Sequence, residues 1–293
     1  MADICLENEY LRITASSLGG ELRSVVSKKS SREYLWNGDK RYWEDRAPIL
    51  FPVVGRLSNG RYKLGETEYE LPIHGFARFL EYKADLLDNT VRYSAGSNED
   101  TLKVYPYRFE LEIMHSLDDN TVRTALSVKN TNTEDMYFSI GGHPGIMCPF
   151  NPGEDFSDYY LEFEKNERAG RMEYDMGSEC FTGRSAPFLK DEDTIHLSYK
   201  LFENDAVTLT GLRSKTVRLK SRKSLDYVSF DFSGFPVLAF WTRGPGAGYL
   251  CIEPWFGYGA VCGFDGDFTE KPGIVRLPAG EVFRCGYGIE VWE

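Results

Sequence analysis

Apolar and polar residues alternate at period two along much of this chain, and that pattern limits its fold more than any other feature. Tyr10-Leu-Arg-Ile-Thr14, Arg108-Phe-Glu-Leu-Glu-Ile-Met114, Thr121-Val-Arg-Thr-Ala-Leu-Ser-Val128 and Val217-Arg-Leu-Lys220 each place apolar groups on one side of an extended backbone. Aromatic residues make up 14% of the chain and recur in such runs, as expected of half-buried strands. Turn signals separate the runs: Asn59-Gly60, Leu64-Gly65 and Asp118-Asp-Asn120. Asp119-Asn120, flanked by two alternating segments, predicts a hairpin. No dozen-residue window carries an apolar stripe at i, i+3, i+4, i+7 with a glycine stop, so long helices are not expected. Glycine and proline are spread over the whole length, without a repeat, a low-complexity tract or a compositional boundary. The expectation is all-β: one domain over residues 1–293, a large antiparallel β-sandwich with few or no long helices.

Composition narrows the function. A formal charge of −11 argues against a nucleic-acid partner or an anionic membrane, both of which need a basic face. No run approaches the roughly 18–20 apolar residues of a membrane helix. The opening MADICLENEYLRI lacks the charged and apolar regions of an export signal, which predicts a cytoplasmic protein. The six cysteines, Cys5, Cys148, Cys180, Cys251, Cys262 and Cys285, form no C-x-x-C pair. An even count is compatible with disulfides, but in a long chain without an export signal, reduced buried thiols are expected. No metal site is expected, since zinc would have to combine isolated cysteines with only four histidines. Gly244-Pro-Gly-Ala-Gly248 leads into an apolar run rather than a helix, so it is not a phosphate cradle. There is no Gly-x-Ser-x-Gly elbow. Asp265-Gly-Asp267 has too few ligands for a calcium loop, and no carboxylate pair stands out for glycoside hydrolysis.

Four segments break the strand pattern. They are Pro48-Ile-Leu-Phe-Pro-Val-Val-Gly-Arg56 with its continuation to Gly60, Leu71-Pro-Ile-His-Gly-Phe-Ala-Arg78, Phe138-Ser-Ile-Gly-Gly-His-Pro-Gly-Ile-Met-Cys-Pro149, and Tyr249-Leu-Cys-Ile-Glu-Pro-Trp-Phe-Gly257. His74 and His143 sit beside glycine and proline in apolar surroundings, whereas His115 and His196 occupy alternating strand positions and read as structural or exposed. The glycines around His143 allow another chain or a ligand to come close. Glu253 stands among Cys251, Ile252, Pro254 and Trp255. It either points outward from a strand or is buried, and burial would raise its pKa to a value useful for taking a proton. Trp255 could stack on a sugar face or fill the core. Arg56 and Arg78 could form structural ion pairs or hold an oxygen-rich ligand.

Taken in order, these segments resemble the aldose 1-epimerase (galactose mutarotase-like) superfamily, most closely its LacX-like branch. Gly19-Gly-Glu-Leu22, Tyr34-Leu-Trp36, Phe51-Pro-Val-Val-Gly-Arg56, His74-Gly-Phe-Ala-Arg78, Gly142-His-Pro144, Cys251-Ile-Glu-Pro-Trp255 and Leu277-Pro-Ala-Gly-Glu281 carry the likeness over nearly the whole chain. The resemblance implies a β-supersandwich and a cofactor-free interconversion of hexose anomers through the open-chain aldehyde. By resemblance, His143 is the general acid at the ring oxygen, Glu253 the general base at the C1 hydroxyl, and His74 a second active-site histidine. Arg56 matches a substrate-binding arginine, and Asp205 an acid that binds sugar hydroxyls. Pro144-Gly-Ile-Met147 replaces an aromatic- and Asn-containing segment usual after the catalytic histidine. The His-Gly-Phe-Ala-Arg segment is shared with hexose-6-phosphate epimerases, in which arginines gather the phosphate, so Arg78 with Arg56 could serve that end. The expected partner is a small sugar or sugar phosphate, and a sugar-binding protein without turnover is the alternative of another class.

Overall fold

The computed structural model describes residues 3–293. Its only α-helix among them is Glu99–Val104, capped by Asn98, whose side chain accepts the backbone N–H groups of Asp100 and Thr101. Everything else of regular length is strand, and every ladder between these strands is antiparallel. The all-β antiparallel fold is therefore as the alternating runs indicate.

A three-stranded sheet, Asp3–Glu7, Leu11–Ser16 and Leu22–Ser27, precedes one sheet of fifteen strands. The hairpin predicted at Asp119-Asn120 joins Phe109–Asp118 to Thr121–Asn130, with Asp118 opposite Thr121. Asp119 takes φ +48° there, the left-handed geometry that a two-residue turn needs. Phe109, Leu111, Ile113, His115 and Leu117 point into the core from one face of this hairpin. His115 is thus structural: its ring bonds the Thr124 hydroxyl and the Gly20 carbonyl at 3.0 and 2.8 Å. One contiguous hydrophobic core runs from Leu6 to Val291, with Phe51, Tyr105, Phe109 and Phe138 in edge or tilted ring contacts near its centre.

Near one end of the large sheet, Tyr249–Phe256 lies between Val237–Trp241 on one side and the short strands Ile140–Gly142 and Gly145–Met147 on the other. Its first seven residues are all buried, so it is covered on both faces. The close approach on this side requires glycine. A Cβ at Gly142 would lie 2.4 Å from the Tyr287 ring, and one at Gly141 would lie 2.6 Å from the Pro254 carbonyl oxygen. The glycines before His143 thus admit neighbouring strands rather than a ligand.

One expectation is corrected here. Cys180 and Cys262 are not reduced thiols but a disulfide, with Cα atoms 5.3 Å apart. A bridge between Phe181 and Val261 sets their neighbours side by side, and two backbone hydrogen bonds hold the join, Phe181 N–H to Ala260 O and Cys262 N–H to Phe181 O. The partners are 82 positions apart, so no local spacing announces them. The remaining four cysteines are free, Cys148 and Cys251 being buried.

Replacing Cys180 and Cys262 together by serine is expected to cost about 2–4 kcal/mol of stability. The check is the midpoint of denaturant unfolding, to which excess dithiothreitol should also bring the unmodified protein.

Candidate active site

The strand Tyr249–Phe256 presents Cys251, Glu253 and Trp255 on one face, since side chains alternate. Opposite them on Val237–Trp241 are Trp241, Ala239 and Val237, and Thr208 follows beside Ala239. On the other side, Gly141 pairs with Trp255 and Gly145 with Cys251. That register carried across the intervening residues sets His143 opposite Glu253 and Gly142 opposite Pro254. Pro254 has no N–H to give, and the regular pairing is interrupted there. The peptide of His143 turns instead to the Pro48 carbonyl at 3.1 Å, while Ile252 N–H bonds the Pro144 carbonyl.

Cross-strand neighbours on one face are near enough to interact. The Nε2 of His143 lies 3.1 Å from Oε2 of Glu253, with both side chains almost wholly buried. Burial pushes the Glu253 carboxyl well above the ordinary carboxylate range, and the charge of Asp205 adds to this. Burial moves His143 the opposite way, down to about 3, and Arg78 reinforces the shift. Both displacements favour uncharged groups, so at neutral pH the pair holds one proton between two basic sites.

His74 stands with its ring perpendicular to that of His143, centroids 5.2 Å apart. Its backbone has φ +65° and that of Gly75 +72°. A Cβ at Gly75 would fall 2.3 Å from the Phe51 carbonyl oxygen, which explains the His-Gly pair. The Gly55 N–H donates to Nδ1 of His74 at 3.1 Å, which assigns the ring proton to Nε2. Burial first, then His143, Arg78 and Arg56, hold its pKa well below the usual histidine value, so it is neutral.

These groups line one cavity of about 470 Å³, together with Arg56, Arg78, Asp205 and Trp255. All seven residues singled out in the sequence therefore meet in one place. Arg78 donates to Asp45 at 2.7 Å and lies over the Phe79 ring, while Arg56 is 3.3 Å from Glu179. Asp205 has φ +65°, and Arg171 secures its segment by donating to the carbonyls of Leu201, Asn204, Asp205 and Ala206. Trp255 is 5% exposed and packs among Leu50, Val54, Val237 and Ala239, so it offers its N–H rather than an open ring face.

Among the described residues, six buried polar atoms of the cavity lining form no aligned hydrogen bond within the protein: Arg78 Nε, His143 Nδ1, Thr208 Oγ1, Thr242 Oγ1, Trp255 Nε1 and Glu253 Oε2, the last close to His143 Nε2 but not aligned with it. Donors and acceptors left so in a folded interior mark a place for a ligand rich in hydroxyls. Several residues here escaped the sequence reading. Trp43 lies over the His143 ring, centroids 4.8 Å apart, and Trp241 meets His143 edge-on at 5.9 Å. Asp45, Thr208, Thr242 and Glu179 were also missed. Tryptophan in a polar setting, as in Tyr42-Trp-Glu-Asp45 and Trp241-Thr-Arg243, was the available signal.

The geometry can be set beside known proteins. The sequence profile of the aldose 1-epimerase family matches residues 2–273. The chain belongs to the aldose 1-epimerase family. It is 34% identical to the plasmid-encoded protein LacX of Lactococcus lactis subsp. lactis over 98% of each chain, and equally to its chromosomal counterpart. Among solved structures it resembles a galactose mutarotase related enzyme from Lactobacillus acidophilus, with TM-score 0.95 and 31% identity over 100% of this chain and 98% of that one. A galactose mutarotase-like protein from Lactobacillus casei gives TM-score 0.93 and 28% identity over 99% and 100%. The galactose mutarotase-like fold expected from the sequence is the one found.

Glu253→Gln is expected to stabilise the protein. A carboxyl with a raised folded-state pKa is protonated in both states below about pH 4 and ionises first in the unfolded chain above it. The folded wild type therefore loses stability as pH rises, and the neutral amide does not. The gain in Tm from Glu253→Gln should be near zero at about pH 4 and grow toward neutrality, at about 2–4 °C per kcal/mol for a chain of this size.

Proposed function

We propose that this protein is an aldose 1-epimerase that interconverts the α and β anomers of a free hexose, with His143 and Glu253 as its acid–base pair. The observation that carries this is the 3.1 Å approach of His143 Nε2 to Glu253 Oε2 inside a cavity of unpartnered polar atoms. Opening a hemiacetal removes a proton from the C1 hydroxyl and delivers one to the ring oxygen, two oxygens on the same carbon. A bound sugar brings hydroxyls to Glu253 and stabilises its carboxylate, so the shared proton resides on His143. Glu253 takes the C1 hydroxyl proton, His143 gives its own to the ring oxygen, and the bond between C1 and that oxygen breaks to leave the aldehyde. The pair again holds one proton, now on the carboxyl. After rotation about the C1–C2 bond, the roles reverse and the ring closes as the other anomer.

His74, neutral and fixed by the Gly55 N–H, directs its Nε2–H as a donor to the sugar oxygens. Arg56 and Asp205 orient the remaining hydroxyls, and orientation supplies much of the acceleration. No cofactor or metal is required by this sequence of proton transfers.

The charge of the cavity favours an unphosphorylated sugar over the hexose 6-phosphate alternative. Arg78 is already committed to Asp45 and Arg56 is close to Glu179. Besides the neutral Glu253, four acids line the cavity, Asp45, Glu179, Glu203 and Asp205, against three arginines, Arg56, Arg78 and Arg243. A phosphate dianion would have to displace these pairings among like charges.

Polarimetry of freshly dissolved α-glucose or α-galactose tests the reaction. Glu253→Gln and His143→Asn should each lower kcat by about 10²–10⁴-fold, and activity surviving both changes overturns the assignment. Calorimetric sugar binding without any acceleration would instead identify a binding protein. Exchange NMR should find faster anomer exchange for glucose than for glucose 6-phosphate, and Arg78→Ala should not reverse that order.

A further inference from the structure

The proposed proton transfers leave one buried nucleophile beside the pair unused. Cys251 lies two residues before Glu253, on the same face of the same strand, and its thiol has no hydrogen bond to any described residue. Sulfur of Cys251, a ring nitrogen of His143 and a carboxylate oxygen of Glu253 lie within 4.8 Å of one another, all three residues buried. His143 Nδ1 forms no hydrogen bond, and Glu253 Oε2 faces His143 Nε2 without an aligned one.

Thiolate, imidazole and carboxylate are the three ligand types that hold zinc, at about 2.3, 2.0–2.1 and 2.0–2.2 Å from the metal. A cation among the three atoms would need them to draw in from these separations. Three protein ligands complete only part of a tetrahedron, and the fourth position would be left for water or a sugar hydroxyl from the cavity. A soft sulfur next to nitrogen selects zinc or cobalt over magnesium or calcium, which prefer oxygen alone. The neighbouring groups agree: Trp43 and Trp241 enclose the imidazole, and among the described residues no lysine or arginine forms an ion pair with Glu253.

We propose that Cys251, His143 and Glu253 form a binding site for a thiophilic divalent cation of the zinc type, and that occupancy blocks the enzyme by tying up both the acid and the base. Binding releases the thiol proton and the proton shared by the pair to solvent. The blocking effect rests on the acid–base reading above; the binding itself does not.

Titration of the chelator-treated, full-length protein with cobalt(II) and zinc tests the site. One cobalt should bind per chain with a thiolate-to-cobalt charge-transfer band, and zinc should displace it. Zinc should inhibit mutarotation, and a chelator should restore it. Cys251→Ala, which leaves the sugar contacts in place, should remove the band, weaken zinc at least about tenfold and abolish the inhibition. The site is overturned if no thiolate band forms, or if Cys251→Ala binds zinc as tightly as the wild type. Protein that shows the band with cobalt but has no mutarotase activity after chelator treatment would sink the acid–base reading and leave the cation site standing.

Discussion

The structure depends on one strand being buried on both faces. Tyr249–Phe256 lies inside the sheet near one end, covered above and below, and that is what forces an acid into the interior. Glu253 cannot turn to solvent without turning its whole strand, because a side chain's face is fixed by its parity. The partner that makes its burial tolerable is His143, held opposite by a register that neither Gly142 nor Pro144 disturbs. Two ionisable groups so placed hold a single proton between them and carry no net charge. A lone buried carboxylate would cost several kcal/mol. The close packing of Gly141 and Gly142 against Trp255 and Tyr287 keeps the two strands near enough for this arrangement to hold.

Around this neutral pair, charge is arranged differently. Arg78 and Arg56 enter the cavity already facing Asp45 and Glu179, so a ligand meets ion pairs rather than bare cations. Asp205 contributes negative charge that acts on Glu253. The chain as a whole carries −11, and the cavity shares that sign. A neutral polyol can exchange hydrogen bonds with such a site without displacing any pair, whereas an added dianion would compete with carboxylates for the same guanidinium groups.

What the sequence could reveal followed the range of each interaction. The period-two runs and the Asp119-Asn120 turn are local, and they appear in the structure where the pattern puts them. The site residues were legible because glycine and proline break the pattern around His74, His143 and Glu253, and because a family resemblance ties those distant breaks together. Glu253 alone was ambiguous: alternation allows an outward position, and only the covering of both faces decides for burial. The Cys180–Cys262 bond, the Trp43–His143 contact and the Asp45–Arg78 pair are encoded in which strands meet. None leaves a spacing signature, and the thiol expectation failed for that reason.

The two histidines of the cavity show how the fold divides labour between fixed and mobile protons. His74 has its tautomer dictated by a backbone N–H, in a left-handed conformation supported by Gly75, so its Nε2 proton is a permanent feature of the site. His143 has no such partner at Nδ1, and its other nitrogen faces a carboxyl that competes for the same proton. A fixed donor can orient a substrate but cannot return a proton in a reversible reaction, because its hydrogen-bond partner holds the tautomer in place. A pair that shares one proton can give it at either end and recover it afterwards. Ring opening and closing need that symmetry, since each step is the reverse of the other at a different face of the same carbon. The strand register that brings His143 opposite Glu253 is therefore the structural feature from which a cofactor-free epimerisation would follow.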